Sequence, residues 1–280
     1  MTKTLLITGG CGFIGANFVR HILGRYADYR VINLDKLTYA GNPANLADIA
    51  DDERYRFVQG DITDVDIVDP LVAEADCVVN FAAESHVDRS ILGSADFLHT
   101  NVNGTYVLLD AARRHGVDRF HQISTDEVYG SIAEGEWDES FPLEPRNPYS
   151  ATKASAELLV RAFHLSHGVP TVVTRASNNI GPYQYPEKRV PLYVTNAIDD
   201  QPLPVYGDGL QVRDHLYVDD HCSAIDLVLH DGVIGEVYNV GGENDATGIE
   251  VARAILTQLG KPESLIKFVE DRSGHDLRYA

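Results

Sequence analysis

The sequence predicts an α/β fold, a doubly wound parallel sheet with a smaller, interleaved substrate-binding domain. Three observations carry that prediction. Short β-rich runs alternate with longer helical patterns through the first half, which is the signature of a parallel sheet covered on both faces. A glycine-rich turn joins the first run to the first helical pattern. Beyond about residue 176 the texture changes, and proline and glycine crowd into NNIGPYQYPEKRVP and QPLPVYGDG.

The elements follow in order. Strands are expected at Thr4–Thr8, Val31–Leu34, Arg56–Val58, Cys77–Ala82 and Phe120–Ser124, and helices near Phe13–Tyr26, Asp64–Glu74 and Ala95–His115. Gly116 ends the last of these because glycine readily takes the left-handed position after a helix. Tyr149–His167 reads as a further helix stopped by Gly168 and Pro170, and Thr171–Arg175 as a sixth strand. After it come loops expected to wrap a ligand, a helix near Asp219–His230, a strand at Val237–Val240 and a helix at Ile249–Leu259 closed by Gly260 and Pro262. The expected division is a Rossmann-type dinucleotide domain over 1–176, with 209–235 returning to it, and a second domain from 177–208 and 236–280.

Composition bounds the function. At 280 residues the chain can bury one large core or two modest ones. Its 23 basic against 42 acidic side chains leave a net charge of −19, which repels phosphate backbones and argues against non-specific nucleic-acid binding. An anionic substrate therefore needs a local positive site. Cys11, Cys77 and Cys222 are odd in number with no C-x-x-C, as reduced thiols of a cytosolic protein would be. The 11 histidines form no H-E-x-x-H or Cys/His cluster, so no metal is expected. The first ten residues are too poor in apolar side chains for a signal peptide, and no run approaches a membrane span. A soluble, cytoplasmic protein is expected.

The first strand runs into Gly9-Gly10-Cys11-Gly12-Phe13-Ile14-Gly15, a G-x-x-G-x-x-G turn opening a helix. Residues without Cβ let a pyrophosphate approach the helix N-terminus, where free N–H groups and the helix dipole bind anions. Asp35 ends the second strand, 20 residues after Gly15, where a carboxylate can accept both ribose hydroxyls of the adenosine. It would repel a 2′-phosphate, so NAD is favoured over NADP. Asp61 ends the third strand and either reaches the adenine or caps a helix. Tyr149 and Lys153 stand four apart on a helix, hence on one face, and the ammonium is expected to favour the phenolate. In STDEVYG (124–130), Asp126 and Glu127 are adjacent carboxylates at a strand end, where like charges raise one another's pKa.

Together these residues resemble the extended short-chain dehydrogenase/reductase superfamily of nucleotide-sugar enzymes. More narrowly, DKLTYAGN (35–42), AAESHVDRS (82–90), STDEVYG, NNIGPYQYPEK (178–188) and GDGLQVRDHLYVDDH (207–221) are similar to the dTDP-glucose 4,6-dehydratase family over essentially the whole chain. The resemblance implies a lyase that oxidises the sugar at C4, eliminates water across C5–C6 and returns the hydride to C6. It implies Glu127 as the C5 base, Asp126 as the C6 acid, Tyr149 as the C4 base, Lys153 as its electrostatic support and Thr125 as the hydroxyl orienting the C4 alcohol.

For the cofactor, the resemblance implies NAD held by Gly9, Gly12, Phe13, Ile14, Gly15, Asp35, Lys36, Leu37, Thr38, Asp61, Ile62, Ala82, Ala83, Ser85, Thr100, Tyr149, Lys153 and Asn179. For the dTDP-hexose substrate it implies Lys188 and Arg213 on the diphosphate, amide contacts from Asn178 and Asn239, and Tyr206 stacking on thymine. Val190, Pro191, Leu192 and Pro204 would line that pocket, Ser85, His86 and Thr125 would meet the sugar, and Arg272 and His275 would close it. For His86 a structural loop role stands beside this one. Ile180, Tyr185 and His215 depart from the family pattern, where an aromatic, a histidine and a tryptophan are common. Such proteins also usually continue beyond GHDLRYA, so the substrate domain is expected to be C-terminally incomplete. A homodimer is implied, pairing through the helices near 95–115 and 149–167, although core packing would use the same apolar side chains (Phe97, Leu98, Val102, Leu109, Leu158, Leu159 and Phe163). Two rival readings remain at this stage: a nucleotide-sugar 4-epimerase, which needs no Asp-Glu pair, and a non-catalytic dinucleotide-binding regulator.

Overall fold

The computed structural model describes residues 3–132, 134–271 and 278–279. The first half runs β1 (Lys3–Thr8), α1 (Phe13–Arg25), β2 (Tyr29–Asp35), a 3-10 segment (Pro43–Ile49), β3 (Tyr55–Gln59), α2 (Val65–Ala73), β4 (Cys77–Asn80), α3 (Val87–Leu92) and α4 (Ala95–Phe97). A π-helical stretch (Leu98–Gly104) carries α4 into α5 (Thr105–His115), followed by β5 (Arg119–Thr125), a 3-10 turn (Asp126–Tyr129), α6 (Pro148–His167) and β6 (Thr171–Ala176). The second half contains β7 (Asn178–Ile180), α7 (Arg189–Ile198), β8 (Leu203–Tyr206), β9 (Val212–Tyr217), α8 (Val218–Asp231) and β10 (Val237–Val240). It ends with β11 (Asp245–Thr247), α9 (Gly248–Leu259), β12 (Ile266–Val269) and β13 (Arg278–Tyr279).

Seven strands form one parallel sheet in the order β10-β6-β5-β4-β1-β2-β3. The order reverses between β1 and β4, so the chain leaves these neighbours in opposite directions and opens a crevice at their carboxyl ends. One face of the sheet is covered by α2, α5 and α6, with Leu6, Leu34, Val78, Leu108 and Phe120 at the centre. The other is covered by α1 and α8, through Phe18, Ile22, Cys222 and Ile225 packed on Ile7, Val31 and Val79. A third, smaller core joins α7, β8 and α9 through Tyr193, Leu203, Val205 and Leu256. Among the described residues, no helix is long and apolar enough to cross a membrane.

The structure differs from the expected pattern in two places. The proline-rich stretch after 176 is not loop alone, since it holds β7, α7 and β8. Pro191 lies in the first turn of α7, where an N–H would have no helical partner, and Pro204 lies on β8, which among the described residues pairs with β12 in a two-stranded sheet. These prolines mark element starts and edges, and read without partners they look like breakers. Val237–Val240, expected in the second domain, is the edge strand of the large sheet beside β6, whereas β9 pairs with β7, β11 and β13 in a separate four-stranded sheet.

β5 is the strand that delivers the Thr125–Glu127 segment, and its Phe120 is fully buried. Phe120→Ala should cost about 3–5 kcal/mol through lost burial and the cavity left behind. A urea unfolding midpoint unchanged from that of the unaltered protein would contradict this placement.

Candidate active site

A cleft of about 490 Å³ lies at the carboxyl edge of the large sheet and is walled on its far side by α7, β8 and β9. Every residue expected to hold the dinucleotide lines it except Leu37, whose side chain is not part of the wall. Leu37 instead gives its N–H to Asp35 Oδ1 at 2.8 Å. Gly9 turns with φ 70°, and a Cβ there would stand 2.8 Å from the Ala82 backbone. A Cβ on Gly15 would fall on the Gly9 carbonyl oxygen. The N-terminus of α1 has no side-chain cap, which leaves its N–H groups open to an anion.

Asp35 Oδ2 accepts the Cys11 N–H at 2.9 Å. With one backbone donor on each oxygen, the carboxylate keeps lone pairs for two more. Burial raises its pKa, and the two backbone hydrogen bonds oppose that rise. Lys36 and Asp61 meet in an ion pair of 2.7 Å at the same end of the cleft. Uncapped helix, close-packed glycines and a part-satisfied carboxylate at the strand end suit a dinucleotide.

At the other end of the cleft, β5 stops at Thr125, whose Oγ1 accepts the Glu127 N–H at 3.2 Å and so caps the 3-10 turn. Glu127 faces the cleft and takes a hydrogen bond from Asn147 Nδ2 at 3.3 Å. Asp126 does not line the cleft. It is buried beneath it, and its Oδ2 has no hydrogen-bond partner among the described residues. Burial, reinforced by the Glu127 charge, pushes its pKa up to about 8. The adjacent carboxyls are thus unequally placed, with Asp126 buried and its proton held more tightly than usual, and Glu127 facing the cleft.

α6 starts in a capping box made by Asn147 and Ser150, with Pro148 at its first position, which fixes where Tyr149 emerges. The Tyr149 phenol is buried and pushed well above its ordinary range, with the Glu127 charge adding to that, while a hydrogen bond with Thr125 pulls it down. Lys153 donates its Nζ to Ile123 O at 2.7 Å, and burial lowers its pKa to about 8. Burial is the largest cause of the raised phenol.

Of the expected substrate residues, Ser85, His86, Thr125, Asn178, Lys188, Val190, Leu192, Pro204, Tyr206 and Arg213 line the cleft. Pro191 does not, because it lies in the first turn of α7 between two residues that do. Asn239 does not either, because its side chain accepts from Tyr129 and donates to the Trp137 carbonyl. Arg272 and His275 lie outside the described residues. The departures Ile180, Tyr185 and His215 all line the cleft, with Arg189 3.3 Å from His215.

Several residues escaped the sequence reading. Tyr39 donates to Glu187 at 2.9 Å while Arg89 lies 3.7 Å above the Tyr39 ring, a contact joining the loop after β2 to the YPEK segment. Glu157 is the most legible of those missed, since it extends the Tyr149–Lys153 spacing by four more residues along one helix face. No short-range signal marks its partner Arg175.

The family model described as GDP-mannose 4,6 dehydratase matches residues 6–279. This chain belongs to that family, the nucleotide-sugar 4,6-dehydratases. Within the family, a Haloferax volcanii relative named low-salt glycan biosynthesis protein Agl12 is 56% identical, over 99% of this chain and 89% of its own length. The dTDP-glucose 4,6-dehydratase of Streptomyces niveus is 54% identical, over 99% of this chain and 83% of its own. The crystal structure of DesIV, a dTDP-glucose 4,6-dehydratase from Streptomyces venezuelae with NAD and a dTDP ligand bound, matches with a TM-score of 0.97 at 51% identity. That match covers 99% of this chain and 87% of the other.

The state of Asp126 has a consequence for stability. A folded pKa of about 8, above the ordinary 3.8, means the native state holds this proton more tightly than the unfolded chain does. The stability this gives is complete below the ordinary carboxylate range and is lost as pH rises through the folded value. Asp126→Asn, which carries no charge to bury, should therefore be more stable than the unaltered protein at about pH 9, by at least about 1 kcal/mol. The difference should shrink toward acid pH. Equal urea midpoints for the two proteins at alkaline pH would contradict this account.

Proposed function

We propose that this chain is an NAD-dependent dTDP-glucose 4,6-dehydratase, a lyase forming dTDP-4-keto-6-deoxyglucose. The observation that carries this reading is the unequal carboxyl pair, a buried neutral Asp126 beside a cleft-facing Glu127, within the electrostatic reach of Tyr149. An epimerase needs a tyrosine base and a dinucleotide but has no use for such a pair, and a binding regulator needs neither. Relatives at 54% and 53% identity carry the dehydratase name.

NAD would be held by the glycine turn, the α1 N-terminus and Asp35, with Lys153 and Tyr149 at the reacting end. When bound, it supplies the positively charged two-electron acceptor that takes up the C4 electrons and gives them back at C6. Thr125 orients the C4 hydroxyl, and Tyr149 removes its proton as the positive charges of Lys153 and the bound cofactor beside it offset the burial that raises the phenol. The C4 ketone acidifies the C5 proton, which Glu127 takes as general base. Asp126, the neutral acid next to the cleft-facing Glu127 though not itself part of the lining, is the group to protonate the departing C6 hydroxyl, so that water leaves. Glu127 then returns its proton to C5 as C6 is reduced. The proton left on Tyr149 replaces the one Asp126 gave, and the net change is loss of one water. Lys188 and Arg213 would pair with the diphosphate, against the background of net negative charge. Lys188 already reaches the Ser85 carbonyl at 2.7 Å, across the cleft from α7.

A homodimer is part of this reading. Phe97, Leu109 and Phe163 are used up in the core, but Leu98, Tyr106, Leu158 and Leu165 stay exposed along the π-helical stretch, α5 and α6. A cytoplasmic location goes with it.

Incubation with dTDP-glucose should yield a 4-keto-6-deoxy product, with deuterium placed at C4 reappearing at C6 of the same molecule. Glu127→Gln should still oxidise C4 yet lose dehydration by about 100- to 10,000-fold, and solvent deuterium should not enter C5. Dehydration should also fall as pH rises through about 8, as Asp126 loses its proton and Lys153 its charge. A C4-epimerised sugar as the product would overturn the reading.

Asp35→Ala should weaken NAD binding, and the unaltered protein should prefer NAD to NADP, as titration of cofactor-free protein with each would report. Equal affinity for the two would remove Asp35 from the ribose.

A further inference from the structure

The turn that carries Asp126 and Glu127 ends on Tyr129, whose side chain runs away from the cleft into a closed circuit of polar contacts. The Tyr129 hydroxyl donates to Asn239 Oδ1 at 2.8 Å and accepts from an Arg175 terminal nitrogen at 2.6 Å. Arg175 forks onto Glu157 Oε2 through its Nε at 2.9 Å and its other terminal nitrogen at 2.7 Å. The remaining Glu157 oxygen accepts from Ser124 Oγ, one residue before Thr125. The circuit thus leaves β5 just before the catalytic turn, crosses α6 and β6, and re-enters at the turn's last residue. The Tyr129 ring is held between the Arg175 guanidinium, 4.7 Å from its centroid, and Trp137, stacked at 5.2 Å. Asn239 is itself fixed, with Nδ2 on the Trp137 carbonyl at 3.1 Å and its backbone N–H on Glu139 at 2.7 Å.

Two facts make this more than packing. A buried Arg–Glu pair is a poor way to add stability, because desolvation cancels most of the attraction, so its use here calls for a positional reason. The turn itself is short: a four-residue 3-10 segment held by the Thr125 cap and a Gly130 N–H to Glu127 O bond of 3.3 Å, and from outside by the Glu144 N–H on Val128 O at 3.0 Å and Asn147 on Glu127 at 3.3 Å. With so few bonds of its own, the turn depends on what holds its ends for the spacing of Asp126 and Glu127. We propose that Tyr129 is a positioning residue, through whose hydroxyl the Glu157–Arg175 pair and Asn239 pin the Asp126–Glu127 turn at the spacing that water elimination needs. This inference rests on the dehydratase reading. Tyr149 is held by α6, so C4 oxidation does not depend on the pin, whereas the steps at C5 and C6 do.

Tyr129→Phe keeps the ring between Arg175 and Trp137 and removes only the hydroxyl. Asn239→Ala removes the acceptor at its far side. Both should leave KM within about twofold and C4 oxidation, read as single-turnover appearance of reduced cofactor, within about threefold, while dehydration falls by about 10- to 100-fold, the scale of a misplaced catalytic group. A second readout needs no substrate: the infrared carbonyl band of the protonated Asp126, identified by its absence in Asp126→Asn. That carboxyl is faced by Glu127 on its own turn, Tyr149 on α6, and Arg213 and Asp214 on β9. Releasing the turn should lower the pH at which the band disappears by about one unit or more, as Glu127 moves off. The proposal is overturned if oxidation and dehydration fall by the same factor, or if the band titrates unchanged in both variants. Failure of the unaltered enzyme to form a ketosugar would instead sink the dehydratase reading, and the infrared titration would then decide the role of Tyr129 by itself.

Discussion

Two carboxyls held side by side in a place with little water form the constraint on which the rest of this structure depends. In solvent Asp126 and Glu127 would both ionise and drift apart. Here one lies under the cleft floor, where charge is costly, and the other at the surface beside the Asn147 amide. The asymmetry needs a rigid strand to deliver the pair, a cap to turn it and an anchor to stop it springing open. β5, Thr125 and Tyr129 supply these in sequence order. What is unfavourable for folding becomes a proton held on Asp126 beside a cleft-facing Glu127.

α6 does the complementary work. Its capping box fixes the axial position, and four-residue spacing then sends Tyr149, Lys153 and Glu157 down one face. The first two meet the cleft and the third anchors the buried arginine. Lys153 is poised by opposing effects, since burial lowers its pKa and the Glu157 charge raises it. In the proposed reaction a single helix thus serves both the base at C4 and, through Glu157, the turn that would act at C5 and C6.

The parts legible in the sequence are those whose physics is local. A glycine turn between a strand and a helix, a carboxylate ending β2 and two residues four apart each announce themselves within a few positions, and the structure sets Gly9, Gly15, Asp35, Tyr149 and Lys153 around one cleft. Asn239 reads as a ligand contact in the sequence because its partner is 110 residues away and appears only once β10 pairs with β6. Arg175 is silent for the same reason, an ion lodged in a strand whose every residue is buried. The prolines hid α7 and β8, since a breaker and an edge residue look alike until the neighbours are known.

The chain's route between its two parts limits how they can be exchanged. It leaves the large sheet after β6, returns with α8 and β10, and leaves again for β11 and α9. Arg213 on β9 and Gly248 at the start of α9 therefore reach the same cleft from opposite sides of that return. No single contiguous insert carries the whole of this wall of the cleft, so grafting a relative's wall onto this scaffold requires two segments transplanted together. The intervening α8–β10 stretch must stay native to the host, because its packing partners, α1 and β6, do.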